Sequence, residues 1–196
     1  MAHMKIVVAS NNKKKRQEIE AILATLGIEL VAAADTCFVD VIEDADSFAG
    51  NARKKAEAFA MANHLPALAD DSGLCVDALN GAPGIYSARY AGEDGNDGAN
   101  NSKLLQALHT ACDRSAHFTC ALHLAFPDQR PAITAEGQVH GMILEQATGI
   151  AGFGYDPLFF CPEIGKAFAE ATAEEKAGVS HRGRALRALA EQLSHL

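Results

Sequence analysis

The chain has no P-loop: Gly165-Lys166 is not followed by Ser or Thr and lacks the upstream Gly. Gly152-Phe153-Gly154 runs into Pro157 rather than a third Gly, which excludes the dinucleotide-binding turn. Asp94-Gly95-Asn96-Asp97-Gly98 begins like a calcium loop, but Leu105 stands where the distal Glu belongs. Residues 93–101 therefore read as a polar surface loop. CxxC is absent too, and the five cysteines (Cys37, Cys75, Cys112, Cys120, Cys161) are odd in number. That pattern suits free thiols in a reducing compartment, the cytoplasm. His117, Cys120 and His123 do not make a zinc set, because strand alternation turns both histidines away from Cys120. No uninterrupted apolar run reaches membrane-spanning length, so no membrane partner is expected. The apolar stretch between Lys5 and Ser10 is too brief for a signal peptide. Met1-Ala2-His3 reads as an addition ahead of a natural start at Met4. Basic residues are outnumbered, 17 against 25, leaving a net charge of −8. A long nucleic-acid polymer is thereby disfavoured as a partner.

Repeats, low-complexity tracts and long linkers are missing as well, and 196 residues can bury one substantial core. The chain is expected to be a single domain over 1–196. Apolar periodicity predicts helices over 13–26, 47–63, 102–113 and 182–194. Strands are predicted near 5–9, 28–32, 66–70, 74–78, 117–126 and 133–141. Ala82-Pro83-Gly84-Ile85 suits a type II turn. The mixed order of strands and helices argues for an α/β fold with a mixed sheet.

What is present is a set of chemistry-bearing clusters. Asp70 and Asp71 follow a short apolar strand and precede Ser72-Gly73. Two acids at the end of a buried strand are costly unless a cation meets them, and a hard divalent metal takes carboxylate oxygens. A solvated acidic turn is the other reading, and these residues alone leave both open. Ser10, Asn11 and Asn12 lead into Lys13, Lys14, Lys15 and Arg16 at the start of a helix with Ile19, Ile22, Leu23 and Leu26 on one stripe. Cations at a helix N-terminus oppose the macrodipole, an arrangement that a bound phosphate would reconcile. An exposed basic turn would also be tolerated. Phe153, Gly154, Tyr155, Asp156 and Pro157 could offer a ring to a base and a carboxylate to its N–H groups. By themselves they read as a Gly/Pro turn into Leu158-Phe159-Phe160. Ser180-His181-Arg182-Gly183-Arg184 again sets cations at a helix start, with Ser180 as N-cap. Thr172 and Glu175 are spaced as a capping box just before it, beside Lys176, which could equally be a surface residue paired with a helix carboxylate.

Taken together, Ser10-Asn11-Asn12…Lys15…Glu18, Phe48…Asn51-Ala52…Lys55-Ala56, residues 69–92, residues 152–157, Glu175-Lys176 and Ser180-His181-Arg182-Gly183 resemble the non-canonical purine nucleoside triphosphate pyrophosphatases, or inosine triphosphatases. The resemblance covers nearly the whole chain. It implies an elongated mixed sheet flanked by helices, two lobes with an active-site cleft between them, and a cytoplasmic homodimer. It also implies Mg2+-dependent hydrolysis of ITP, dITP and XTP, purine nucleoside triphosphates, to monophosphate and pyrophosphate. By position it makes Asp71 the general base and a metal ligand, with Glu43 the second metal-binding acid. Ser10, Asn11, Asn12, Lys13, Lys14, Lys15 and Lys55 would hold phosphates, and Ser72 would touch substrate. Phe153, Gly154, Tyr155, Asp156, Lys176, His181 and Arg182 would hold the base. The chain departs from the family at Asn11, Lys14 and Gly50, where Gly, Gly and Glu are common. Two alternatives accompany this reading: a pyrophosphatase for other modified nucleotides, and a nucleotide-binding sensor without turnover.

Overall fold

A computed structural model of the chain describes residues 5–10, 12–25, 28–31, 35–37, 39–92, 95–128 and 130–194. Met1 to Met4, Asn11, Leu26, Gly27, Glu93 and Asp94, which carry several of the expectations above, lie outside the described residues. Among the described residues, seven strands and five α-helices follow one another: β1 (Lys5–Val8), α1 (Lys13–Ala24), β2 (Glu29–Leu30), α2 (Phe48–Asn63), β3 (Ala67–Val76), α3 (Asp97–Ala107), β4 (Ser115–Ala125), β5 (Ile133–Ile143), β6 (Phe159–Cys161), β7 (Lys166–Ala167), α4 (Ala173–Val179) and α5 (His181–Leu193). The strands are hydrogen-bonded in the order β2-β1-β3-β4-β5-β6-β7. β1 is parallel to β2 and β3, whereas β6 is antiparallel to β5 and β7, so the sheet is mixed as the element order predicts.

By contact density the chain divides into two compact units. The first comprises Met1–Asp71, Cys120–Gly137 and Arg182–Leu196. Its part of the sheet has a core on each face. Ile6, Val8 and Leu68 pack with Ile19 and Leu23 of α1 and Leu186 and Leu189 of α5. Val7, Ala67 and Ala69 pack with Ala56, Phe59 and Ala60 of α2. The split follows from strand alternation, which sends even-numbered β3 residues to one face and odd-numbered ones to the other. Each fully buried Leu or Ile contributes roughly 1.5–3 kcal/mol. The second unit, Ser72–Thr119 and Gln138–His181, has its own core of Leu74, Val76, Leu104, Phe118, Val139, Phe159 and Phe168 among others.

Local signals place the helix starts. Asn12 caps α1 by accepting from the amides of Lys14 and Lys15, and Ser47 caps α2 by accepting from Gly50. Thr172 and Glu175 form the expected capping box, on the short helix α4.

Three expectations are corrected. Strands 66–70 and 74–78 are one strand, β3, and Asp70-Asp71-Ser72-Gly73 lies inside it rather than in a turn. α3 starts at Asp97 and not at 102, because Asn96 caps it by accepting from Ala99, so the expected surface loop is helical from Asp97 on. Pro83 sits at φ −68, ψ −26, not the extended ψ that a type II turn requires.

Candidate active site

In the first unit, alternation along β3 decides the chemistry. Asp70 continues the Leu68 face toward α1 and α5, and there it meets buried Arg182 at the start of α5. Arg182 Nε and Nη2 donate to Asp70 Oδ2 at 3.2 and 2.9 Å, while Nη1 donates to Glu18 of α1. Lys15 Nζ lies 3.4 Å from the same Asp70 oxygen. Burial pushes the Asp70 carboxyl up, but Lys15, Arg182 and Lys55 outweigh it and hold the group well below the usual carboxylate range. Asp70 and Arg182 thus form a paired, ionised core.

Asp71 continues the Ala67 and Ala69 face toward α2. Asn51 and Lys55, one turn apart on that helix, both reach it. Asn51 Nδ2 donates to Asp71 Oδ2 at 3.0 Å, and Lys55 Nζ lies 3.9 Å from Oδ1. Lys55 also donates to Glu43 Oε2 at 2.9 Å and to the Asp70 carbonyl at 2.8 Å. Asn51 is itself fixed, since its Oδ1 accepts from the Ala45 amide at 2.9 Å. Here burial prevails: it raises the Asp71 carboxyl above its ordinary value, against the lowering by Lys55, Lys15 and Asn51. For Lys55, burial lowers the ammonium, but Asp70, Asp71 and Glu43 raise it overall.

Glu43 and Asp71 therefore converge on one cationic nitrogen. Hard carboxylate oxygens so placed fit a hard divalent ion that takes its remaining ligands from phosphate and water. Among the described residues no group of three or more His, Cys, Asp or Glu is arranged to hold a metal unaided. Gly50 has no room for a side chain: a Cβ would lie 2.8 Å from Ala45 Cβ and 3.0 Å from Ser47 Oγ. Ser10 Oγ accepts from the Asn12 amide at 3.3 Å. Lys13 and Lys14 are exposed in the first turn of α1, and Ser72 is half-buried on β3.

The second unit brings Phe153, Gly154, Tyr155, Asp156 and Lys176 together. Asp156 is buried and its Oδ2 accepts from Lys176 Nζ at 2.7 Å and from the Phe153 amide at 2.8 Å. Lys176 is buried rather than a surface residue, and its ammonium stands 4.8 Å from the half-buried Phe153 ring. Gly152, at φ +76, is required there, because a Cβ would fall 2.1 Å from Asp156 Oδ2. Tyr155 is a support: its buried hydroxyl donates to the Ser87 carbonyl at 2.9 Å. His181 is buried and stacks on Phe118 at 4.7 Å between centroids. The Arg182 guanidinium donates to Asp70 and Glu18 within the first unit.

Sequence reasoning named neither Asn51 nor Glu18 as site residues, although the i,i+4 spacing of Asn51 and Lys55 puts them on one helix face. The first unit offers a buried carboxylate base beside an ammonium and a basic helix start; the second offers an aromatic ring beside a buried ion pair.

A sequence profile of the Ham1 family matches residues 6–192. The chain is 50% identical to the dITP/XTP pyrophosphatase of Geobacter sulfurreducens, over 96% of each chain. It is 48% identical to the enzyme of the same name from Nitrosomonas europaea, over 97% of this chain and 94% of that one. The structure of a HAM1 protein from Coxiella burnetii superposes with a TM-score of 0.89 at 38% identity, covering 98% of this chain and all of the other.

Proposed function

This chain belongs to the Ham1 family, and on that premise we propose that it hydrolyses ITP, dITP and XTP between the α and β phosphates, clearing these nucleotides from the pool. The observation that carries the reading is the buried Asp71 carboxylate, held by Asn51 at 3.0 Å and facing Lys55 at 3.9 Å. Burial raises its pKa, which makes it a stronger base than an exposed carboxylate while Lys55 still favours its ionised form. Asp71 orients a water and takes its proton. The water oxygen bonds to the α phosphorus, the bridging P–O bond breaks, and pyrophosphate leaves. Lys15 and Lys55, with Lys13 and Lys14 in the first turn of α1 and the Ser10-Asn11-Asn12 run of the sequence, stabilise the phosphate charge. Glu43 and Asp71 would hold Mg2+, which when bound neutralises charge on the reacting phosphates.

Phe153 would stack on the base, and Asp156 would hold the Lys176 ammonium as a hydrogen-bond donor. Hypoxanthine and xanthine present a carbonyl at position 6, which accepts from such a donor, whereas adenine presents an amino group that opposes it. His181 would close the base site. Arg182 supports the site through Asp70 in this reading. The proposal extends to a cytoplasmic homodimer, which rests on the family resemblance and, for the compartment, on five cysteines that are all thiols.

Pyrophosphate release from ITP, XTP, GTP and ATP, with and without Mg2+, tests the reading. Metal-dependent turnover of ITP and XTP far above GTP and ATP is the expected result. Asp71→Asn should lower ITP turnover about 10²–10⁴-fold while ITP still binds by calorimetry. An unimpaired variant removes Asp71 from the chemistry, and wild-type binding without turnover of any nucleotide identifies a sensor.

A further inference from the structure

The polar run around Asp97 plays no part in the mechanism above, yet α3 begins inside it and reaches the base loop. Asp97 Oδ2 accepts from the Gly154 amide at 2.7 Å. Asn101, one turn further along the same helix face, donates from Nδ2 to the Gly154 carbonyl at 3.0 Å. Two side chains of one helix thus hold both backbone polar groups of one loop residue. The helix is itself anchored by Asn100, between them in sequence. Its Nδ2 donates to the Ala88 carbonyl at 3.0 Å and its Oδ1 accepts from the Ala91 amide at 2.7 Å. The segment gripped by Asn100 also carries the Ser87 carbonyl that accepts from Tyr155 at 2.9 Å. Gly154 has φ +62, and a Cβ added there would touch nothing within 4 Å. Gly154 thus has no side chain to pack, and its amide and carbonyl are held by the hydrogen bonds from α3.

We propose that Asp97 and Asn101 are positioning residues for base selection, fixing the two peptide planes around Gly154 and with them the path of the loop on which Asp156 accepts from the Phe153 amide and holds the Lys176 donor. The proposal rests on the pyrophosphatase reading above. Asp97 and Asn101 touch no reacting atom, so their loss acts on the preference among bases rather than on phosphate chemistry.

The test compares Asp97→Ala, Asp97→Asn, Asn101→Ala and Asn101→Asp in the full chain, with ITP and ATP as substrates. Asp97→Ala removes the acceptor and should lower kcat/KM for ITP about 10-fold, the worth of one charge-assisted hydrogen bond, mainly through KM. Turnover of ATP should stay unchanged, so the ITP/ATP preference falls by the same factor. Asp97→Asn keeps a carbonyl acceptor and should restore most of the preference. Asn101→Asp sets a carboxylate against the Gly154 carbonyl and should be worse than Asn101→Ala. Thermal midpoints identify any variant that fails to fold, and Asp97→Asn and Asn101→Ala then carry the comparison. Unchanged preference in folded variants, or equal losses for both nucleotides, overturns the proposal. Hydrogen exchange of the Gly154 amide is read in parallel: it should be slow in the parent and fast in Asp97→Ala, and fast exchange in the parent removes the clamp. A parent with no preference for ITP instead overturns the function reading, which the exchange measurement separates from the clamp.

Discussion

On one face of β3 the Asp70 carboxylate is met by Arg182 and Lys15, and on the other the Asp71 carboxylate is met by Asn51 and Lys55. Their proton affinities move in opposite directions. Asp70 is held below its unfolded value of 3.8, so its contribution to stability is complete above that pH and is lost as the pH falls further. Asp70→Asn should therefore flatten the acid side of a stability–pH curve from urea unfolding. It should also cost about 3–5 kcal/mol at pH 7, because the buried Arg182 loses its Asp70 carboxylate partner. An acid limb as steep as the parent's would show that another group governs acid unfolding. Asp71 carries the opposite sign. Its folded value is raised, so the stability it contributes in its protonated form is lost as pH rises through that value. Asp71→Asn keeps an acceptor for Asn51 and removes a buried charge, so its melting temperature at pH 7 should exceed the parent's. A lower one would mean that the Lys55 contact outweighs burial. Of these relations the sequence showed the acids and the cations but not their pairing. Arg182 and Asp70 are 112 residues apart, and no local signal links them.

Among the elements, legibility follows the range of the interaction. The Thr172–Glu175 box is readable because a cap acts within three residues, and the helix from Phe48 because its apolar periodicity is local. β3 was misread because Ser72-Gly73 has turn composition, whereas pairing with neighbouring strands keeps those residues extended. α3 was misplaced because Asp97-Gly98 looks like loop, and what makes it helix is the Asn96 cap together with the contacts that Asp97, Asn100 and Asn101 make to distant backbone. The loop from Gly152 to Asp156 is equally dependent on a detail of shape. Gly152→Ala would bring a Cβ against Asp156 Oδ2 in a backbone conformation that disfavours side chains. The expected result is a rise in KM for ITP of at least 10-fold as the Asp156–Lys176 pair is displaced. A KM equal to the parent's would show that the loop shifts without disturbing that pair.

Across the whole molecule the mixed sheet is legible from the order of the elements and the family from its motifs; the resemblance implies two lobes, and the structure supplies the residues of two compact units. The thiols report on both units at once. Cys37 and Cys112 are exposed, Cys75 is half-buried, and Cys120 and Cys161 are buried, with burial pushing the Cys120 thiol up to about 12. A thiol-reactive dye at pH 8 should therefore label two cysteines quickly, Cys75 slowly, and the last two only on unfolding. Rapid labelling of all five would show that the native core opens readily. The two faces of β3 have one more consequence, and it concerns inheritance. Asp70 serves the integrity of the protein and, in the proposed reaction, Asp71 serves turnover, although one codon follows the other. A gene copy could therefore lose turnover by a change at position 71 and still encode a well-folded, nucleotide-binding protein, whereas a change at position 70 threatens the fold itself. On the proposed mechanism, a duplicated copy would have an open route from catalyst to receptor through the second aspartate, and the first aspartate would bar the same route.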